Sequence, residues 1–530
     1  MVMSPPVSMP GVYVAEVSSG SQAIVGVPTA VTAFLGRTRR GPVNTPVLVT
    51  SAADFDRLFG GLHADSSVSY AVRDFFQEGG SQALVVRLFN DDDQGPEDFR
   101  WFLATVPMLV NGDVEQEVFA LTAASPGGWG SGLKAWVDFD DITAETAEAI
   151  GEAGLTSADL FNLHVALADR RGEVREHETH TAVTLRAGSA RALGPVLAAR
   201  SALVRFSGAS GRLSPTSQTA GVAIAGAFDS GRLGNSHYDT GLNALDAADI
   251  VNLICIPPDV RSGDTPPAVY AAAAAYAEKR RAMVIVDCPA AWEKVAKMGE
   301  LAHIQATEVG IEGLAGRNAA VYFPRVWRTD PERGGMPDVF PTSGAIAGIY
   351  ARTDAERGVW KAPAGQQATL SGIDGLDHAL TDADNEVLNV RGINALRTFP
   401  HVGSVIWGAR TLRGADAFSD DYQYVPVRRL ALYIEESLYR GLRWAVFEPN
   451  HEMLWSQIRR EVTTFLLDLT YQGAFQGGQA SEAFFVQCDS TTTTQADIDQ
   501  GVVNVVVGFA PVKPAEFVVI YLQLVADGGR

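Results

Sequence analysis

Apolar runs alternate with amphipathic stretches near the start of the chain. Residues 30–35 and 84–88 are predicted strands, and residues 52–59 and 68–77 between them are predicted helices. Strands that read as unbroken apolar runs are typical of a parallel sheet that helices cover on both faces. The pattern therefore predicts one half of an α/β layer.

The same alternation returns from residue 250. Strands are predicted over 250–256, 283–286 and 319–323, and a helix is predicted over 268–281. A further helix is predicted to begin near Thr342. These elements predict the second half of the same α/β layer, because connected strands of this kind need crossover helices to pair in parallel.

The stretch between the two halves has a different pattern. Short β-like segments such as residues 133–139 and 163–167 are separated by turn residues, including the glycine-rich run at 127–132. Insertions are tolerated in exposed loops whose ends lie close together. We interpret residues 90–246 as a β-rich outer domain inserted into the α/β layer.

The predicted fold class is therefore α/β and α+β multidomain, with a core, an inserted β-rich domain and extended strand arms at both ends. The predicted organisation is an N-terminal arm over 1–21, an α/β middle domain over 22–89 and 247–370, the inserted domain over 90–246, a linker over 371–386 and a C-terminal assembly domain over 387–530.

Residues 427–446 form a predicted amphipathic helix. At about 100° per residue, one arc carries Leu430, Ala431, Ile434, Leu438, Leu442 and Ala445. The opposite arc carries Arg428, Arg429, Arg440 and Arg443 together with two glutamates. This face is locally positive, and it is either an ordinary solvated surface or a binding surface.

Both ends of the chain carry strand-like segments with no local partner. The first includes Val12, Tyr13, Val14 and Val17, and the second includes Phe517, Val518, Val519, Ile520, Tyr521 and Leu522. An apolar edge strand that is left bare pairs readily with another chain. The two ends either pair with each other inside one subunit or add strands to sheets of neighbouring copies.

Composition narrows the possible partners. The chain has 530 residues, of which 46% are hydrophobic, and a net charge of −20, which argues against wrapping duplex DNA. Three widely spaced cysteines indicate neither a disulfide framework nor a zinc ribbon. We expect no signal peptide and no insertion into a membrane, since the longest apolar run, 268–277, is too short to span a bilayer.

Motifs for catalysis or cofactor binding are not recognisable in the sequence. The nucleophile-elbow, phosphate-loop and HExxH patterns are missing. His177 and His180 have no third ligand for a metal, and the acidic run at 90–95 lacks the glutamate of a calcium loop. We therefore expect no enzyme activity, catalytic residue, metal or cofactor.

Seven ordered motifs resemble the contractile tail sheath family of phage tails and bacterial contractile injection systems. They are VYFPR at 321–325, TSGAIAGIYARTD at 342–354, RGVWKAPAG at 357–365, LNVRGIN at 388–394, GSVIWGARTL at 403–412, YVPVRRL at 424–430 and EPN at 448–450. The resemblance covers the α/β core and the C-terminal region and is weaker across residues 90–240.

The resemblance implies a structural subunit that forms stacked six-fold rings around an inner tube, between a baseplate and a terminator cap. It implies assembly in the bacterial cytoplasm and contraction that drives the tube into a target membrane. It also favours strand exchange by both chain ends and contact of Arg428, Arg429, Arg440 and Arg443 with the inner tube. The alternatives are a non-contractile helical lattice or shell protein and an α/β enzyme.

Overall fold

The structure is a computed structural model that describes residues 23–91, 103–110, 113–169, 171–209, 219–223, 228–477 and 479–516. Its strands are β1 (Thr32–Gly36), β2 (Val47–Val49), β3 (Ala83–Arg87), β4 (Thr105–Val110), β5 (Asp113–Ala123), β6 (Leu133–Asp138), β7 (Phe161–Ala168), β8 (Val174–Val183), β9 (Val204–Ala209), β10 (Thr219–Val222), β11 (Leu253–Cys255), β12 (Met283–Asp287), β13 (Ala319–Phe323), β14 (Val326–Asp330), β15 (Met336–Phe340), β16 (Gly375–Leu376), β17 (Ile393–Phe399), β18 (Gly403–Ile406), β19 (Phe484–Gln487) and β20 (Val506–Phe509).

The α-helices of the described residues are α1 (Ala52–Phe59), α2 (Ser67–Gln77), α3 (Ala144–Ile150), α4 (Leu193–Arg200), α5 (Asn235–Ala244), α6 (Pro267–Arg280), α7 (Ala291–Lys297), α8 (Ser343–Arg357), α9 (Asp382–Asn389), α10 (Val425–Gly441), α11 (Glu452–Tyr471), α12 (Ala480–Ala483) and α13 (Gln495–Asp499).

An eight-stranded sheet forms the centre of the larger part of the chain. Its order is β18-β17-β13-β12-β11-β1-β3-β2, with parallel pairing from β17 to β3 and antiparallel strands at both edges. Every residue of β1, β3, β11, β12 and β13 is buried. This confirms the predicted α/β layer, because strands covered on both faces carry apolar side chains at most positions.

Helices cover both faces of this sheet with separate apolar cores. One core includes Tyr238, Tyr270 and Trp292, contributed by α5, α6 and α7. The other includes Phe75 of α2 and Ile346 of α8. The side chains of successive strand residues point to opposite faces, so a single strand supplies both cores.

Ser51 and Gly60 cap the first helix at its two ends. The Ser51 hydroxyl accepts a hydrogen bond from the Asp54 backbone N–H at 3.1 Å, which satisfies an N-terminal donor of α1. At the other end, Gly60 has a φ of 85° and closes the helix in the left-handed conformation. The predicted helix over 52–59 is confirmed at both ends.

Helices α2 and α8 pack with their backbones unusually close. A Cβ on Gly344 would lie 2.2 Å from the Ala71 carbonyl oxygen, and a Cβ on Gly348 would lie 2.5 Å from the Phe75 carbonyl oxygen. Residues four apart lie on one face of a helix. The two glycines of the TSGAIAGIY motif therefore form the contact face of α8 toward α2.

The inserted segment forms a seven-stranded antiparallel sheet of order β8-β7-β6-β10-β4-β5-β9. Along β6, buried positions alternate with less buried ones, as in a sheet with one covered face. Phe119, Phe161 and Leu163 belong to its core. The prediction of a β-rich insertion into the α/β layer is confirmed.

The C-terminal boundary differs from the predicted organisation. Strand β17 pairs in parallel with β13, with Val321 opposite Ile393, so residues 393–406 belong to the central sheet. Residues 371–386, predicted as a linker, contain β16 and the first turns of α9. The described residues divide into one compact unit over 28–432 with 513–516, and another over 23–27 with 433–512.

The smaller unit is built on α11. Its buried face carries Leu454, Trp455, Ile458, Val462, Phe465, Leu466 and Leu469. Tyr433, in the second half of α10, packs on Phe465 with ring centroids 6.1 Å apart. Among the described residues, no helix combines the length and apolar character that a membrane crossing requires.

Candidate assembly site

Strands β19 and β20 form a separate two-stranded sheet in the smaller unit. They pair antiparallel, with Phe485 opposite Gly508 and Gln487 opposite Val506. In the part of the chain that the structure describes, no third strand joins them. A two-stranded sheet is marginally stable in water and has two open edges, so this sheet can accept further strands.

Apolar side chains of this small sheet face solvent in the single chain. Phe485 is 57% exposed and Val506 is 44% exposed. On the other side, Phe475 packs against Phe484 and Phe509, with ring centroids 6.3 and 5.6 Å away. The sheet is therefore anchored to its own unit, and its exposed apolar surface is available to a partner.

The residues predicted to exchange strands lie outside the described residues. They are Val12, Tyr13, Val14, Val17, Phe517, Val518, Val519, Ile520, Tyr521 and Leu522. The residue directly before the second group, Glu516, is held by Arg410 through hydrogen bonds of 2.9 and 2.5 Å. Arg410 also pairs with Asp416 at 2.7 Å.

The predicted amphipathic helix is present, but the prediction of which residues form its polar face is only partly correct. Helix α10 covers Val425–Gly441, shorter than predicted, and a 3₁₀ turn follows over Arg443–Ala445. Leu430, Ala431 and Ile434 are buried, which confirms the first half of the predicted apolar face, whereas Leu438, Leu442 and Ala445 are half-buried.

The assignment of Arg429 to the exposed face is wrong. Its side chain is buried and pairs with Asp354 at 2.8 and 2.6 Å, and it also donates to the Thr29 carbonyl oxygen at 3.0 Å. A helical projection places residues around one helix but carries no information on carboxylates from other elements. Arg429 therefore stabilises the larger unit.

The other three arginines have different surroundings. Arg428 is half-buried, donates to the Asn318 side-chain oxygen at 3.1 and 3.2 Å and lies over the Tyr422 ring. In the smaller unit, Arg440 pairs with Glu436 at 2.7 Å. Arg443 is exposed and lies over Tyr439 at 5.1 Å. Arg440 is half-buried like Arg428, and Arg440 and Arg443 are the two that lie in the smaller unit near the end of the helix.

The histidines and the glycine-rich run that were considered as metal or phosphate sites lie in ordinary structural positions. His177 lies on β8, where its ring stacks with Trp136. Its Nε2 atom is within hydrogen-bond distance, 3.3 Å, of the His164 Nδ1 atom. Residues Gly128–Gly132 form a 3₁₀ turn that leads into β6. The described residues contain no group of three or more side chains that could hold a metal ion.

One buried carboxyl group was not identified from the sequence. The side chain of Asp377 is 1% exposed, and burial together with the neighbouring Glu293 carboxyl raises its pKa to about 7. Asp377 lies in the segment predicted as a linker, and no local pattern marks its burial. Its environment is produced by elements distant in sequence.

Comparison with known proteins identifies the family. The phage tail sheath central domain matches residues 231–412, and the phage tail sheath C-terminal domain matches residues 419–524. The chain belongs to the tail sheath family. This confirms the resemblance drawn from the seven motifs, which all lie within or next to the two matched ranges.

Curated relatives align with part of the chain. A tail sheath protein of Vibrio phage KVP40 is 29% identical over 177 residues, covering 33% of this chain and 25% of that protein. A putative prophage major tail sheath protein of Pseudomonas aeruginosa is 27% identical over 257 residues, covering 47% and 59%. The chain thus spans less than two thirds of the length of these relatives.

Solved structures share the fold over nearly the whole chain. The helical sheath of the anti-feeding prophage in its contracted state has a TM-score of 0.58 at 23% identity, covering 98% of this chain and 99% of that one. The sheath complex of the PVC extracellular contractile injection system has a TM-score of 0.55 at 21% identity, with 99% of both chains covered. A sheath tail protein of Listeria innocua has a TM-score of 0.58 at 14% identity, covering 92% and 96%.

Proposed function

We propose that this chain is the structural subunit of a contractile sheath. It polymerises as stacked hexameric rings around an inner tube, in a phage tail or a phage-tail-like particle assembled in the bacterial cytoplasm. Contraction then drives the tube through a target membrane without enzyme activity of the subunit. Membership of the tail sheath family carries this proposal, and the open two-stranded sheet supports it.

Strand addition is the proposed mode of assembly. The residues 12–17 and 517–522 complete the β19–β20 sheet of adjacent copies, since its edges are open and its surface is apolar. Contacts of this head-to-tail type do not close within one pair of molecules and so generate a helical stack. Main-chain pairing keeps neighbours connected while their bodies rotate between two packings.

Electron microscopy of the full chain, alone and with its inner-tube protein, tests the proposal. We expect long thin filaments and short wide ones built from the same subunit, because a contractile sheath has two helical states. A single helical form under all conditions would contradict contraction and favour the non-contractile lattice. A compact small oligomer that never forms filaments would contradict assembly itself.

The inner tube is proposed to contact Arg440 and Arg443. Both belong to the smaller unit at the end of α10, whereas Arg429 is engaged in a buried ion pair and is unsuitable for the test. Reversing both charges with Arg440→Glu and Arg443→Glu is expected to weaken tube binding about tenfold or more, since each charge pair contributes about 1 kcal/mol.

The matched control for this prediction is Arg171→Glu, which reverses an exposed arginine in the inserted domain. Co-sedimentation of sheath with tube at low and high salt is the measurement. Equal tube binding by the control and by the double variant would remove Arg440 and Arg443 from the interface. The proposed contacts with a baseplate and a terminator cap are not affected by that outcome.

A further inference from the structure

A cavity of about 450 Å³ lies at the carboxyl ends of three neighbouring strands of the eight-stranded sheet. Strands β1, β3 and β11 are parallel, so their carboxyl ends meet at one edge. The cavity is lined by Arg37 directly after β1, by Arg87 at the end of β3, and by residues 259–262 beyond β11. Its volume is within the range of small-molecule sites, about 300–1,000 Å³.

The order in which the chain adds strands to the sheet reverses at β1, next to this cavity. From β1 the chain first adds β3 on one side, and it later adds β11 on the other side of β1. The loops after β1 and β11 therefore diverge and leave a crevice between them. In open α/β sheets, such a crevice at the carboxyl ends of the strands is the usual place for a ligand.

The cavity is locally positive in a chain whose net charge is −20. Six arginines line it against four aspartates. Three of the arginines pair with carboxylates of the protein, in the ion pairs Arg37–Asp259, Arg261–Asp330 and the surface pair Arg333–Asp338. The other three are Arg39, Arg87 and Arg232, which face only Asp65 and Asp229 among the remaining carboxylates of the lining.

Arg39 and Arg232 have guanidinium groups that are free to bind a ligand. Arg39 is half-buried and Arg232 is exposed. Within the ranges described, neither guanidinium makes a hydrogen bond or an ion pair. Of the two nearby carboxylates, Asp229 accepts a hydrogen bond from the Gly128 backbone N–H at 2.8 Å.

Arg87 is a buried cation without a carboxylate partner in the described part of the chain. It is 2% exposed and donates to the carbonyl oxygens of Thr38, Gly41 and Pro126 at 3.2, 2.8 and 2.7 Å. Burial lowers its pKa to about 9. Asp229 offsets this lowering only in part, so the buried guanidinium gains further stability from an anion nearby.

One buried donor in the lining, the Nε of Arg261, lacks a hydrogen-bond partner among the described residues. Arg261 is 5% exposed, and its Nε atom has no hydrogen bond although both terminal nitrogens are used. Unsatisfied buried donors are costly and indicate a missing partner.

We propose that this cavity binds a small phosphate oxyanion, either free or as the diphosphate of a nucleotide. Arg39 and Arg232 contact the phosphate oxygens directly, because guanidinium groups match oxyanions in a bidentate geometry. Arg87 supplies a fixed positive charge in the wall. The site is separate from the β19–β20 sheet, so anion binding and strand addition are tested independently.

Calorimetric titration of the 530-residue chain tests this site. Inorganic phosphate, pyrophosphate and ADP are titrated separately at constant ionic strength, with sodium chloride as the blank. We expect saturable binding of one pyrophosphate per chain, and the tightest of the three probes identifies whether the anion is free or carried by a nucleoside. The absence of saturable binding for all three overturns the proposal.

Two variants locate the binding. Arg39→Gln with Arg232→Gln is expected to weaken pyrophosphate binding about tenfold or more. The single variant Arg232→Gln, at an exposed position, is expected to show a smaller loss without a risk to folding. Arg171→Gln in the inserted domain removes the same charge elsewhere and should bind as the unmodified chain does. Equal affinity of the double variant and this control would overturn the proposal.

Discussion

Buried ion pairs are a recurring feature of individual residues in the larger unit. Arg429 pairs with Asp354, and Arg328 pairs with Asp74, with all four side chains 5% exposed or less. A buried pair contributes little over an apolar replacement, but the loss of one partner leaves an uncompensated charge. The stability of the larger unit therefore depends on both members of each pair being present.

Replacing Asp354 with Asn is expected to destabilise the larger unit by about 3–5 kcal/mol, because it leaves the Arg429 guanidinium buried without a counter-charge. Thermal unfolding followed by circular dichroism measures the effect. The control is Asp382→Asn, since Asp382 is 94% exposed in its ion pair with Arg397. Loss of that exposed pair should lower the free energy of unfolding by about 1 kcal/mol or less. Equal losses of stability in the two variants would contradict the prediction.

Asp377 makes stability dependent on pH. Its pKa is raised to about 7 by burial and by Glu293, above the ordinary 3.8. Between these two values the folded chain holds a proton that the unfolded chain has released, so this group lowers stability as pH rises from about 4 to 7. Thermal melting of Asp377→Asn at pH 5 and pH 8 should show a smaller decrease than that of the unmodified chain. Equal decreases would show that Asp377 titrates normally.

Patterns in the sequence were informative about residue burial but not about residue partners. Leu430 and Ile434 were correctly placed inside from their spacing, since periodicity reports which side of a helix is covered. Arg429 was misplaced because Asp354, its partner, is 75 positions away in the chain. The arginines of the anion cavity were likewise invisible, since loops distant in sequence bring them together.

At the scale of elements, the contact between α2 and α8 depends on two glycines. The absence of a side chain at Gly344 allows the α8 backbone to approach Ala71 of α2. This close approach places α8 on the sheet face that contains Phe75 and Ile346. The TSGAIAGIY motif is thus explained by packing.

Gly344→Ala is expected to destabilise the larger unit by about 1–3 kcal/mol, because the new methyl group would meet the Ala71 carbonyl oxygen at 2.2 Å. Chemical denaturation followed by tryptophan fluorescence is the measurement. Gly194→Ala in α4 is the control, since its Cβ would lie 3.6 Å from Phe206, an ordinary contact. An unchanged denaturation midpoint for Gly344→Ala would contradict the close-packing explanation.

Element types were predicted better than element partners. Helix α1 and strand β13 have the predicted bounds, because caps and apolar runs are local signals. Strands β17 and β18 were assigned to a C-terminal domain, whereas they extend the central sheet. Parallel pairing leaves no local signature, since the paired strands are joined by long crossovers.

At the scale of the whole molecule, the exposed apolar surface of the β19–β20 sheet connects the chain to its neighbours in the proposed sheath. Phe485 is expected to become buried when a neighbouring strand is added. Exposed apolar surface of this kind raises the free energy of a single chain, and its burial on assembly stabilises the subunit.

Phe485→Ser is therefore expected to reduce filament formation strongly while leaving the folded subunit intact. Negative-stain microscopy and sedimentation measure assembly, and circular dichroism checks the fold. Val174→Ser on β8 is the matched control, since Val174 is 56% exposed against 57% for Phe485. Filaments of normal length from Phe485→Ser, or an equal loss in the control, would contradict the proposed role of the sheet.

The sequence by itself determined many of the helices and strands, the α/β class of the core, the β-rich insertion and the family, because apolar periodicity, capping residues and ordered motifs are local properties of the chain. Tertiary structure alone decided which strands share the central sheet, which arginines are paired and where unpaired arginines meet. Those features depend on contacts between distant residues such as Arg87 and Pro126. Such contacts form only when folding brings the residues together, so no spacing along the chain encodes them.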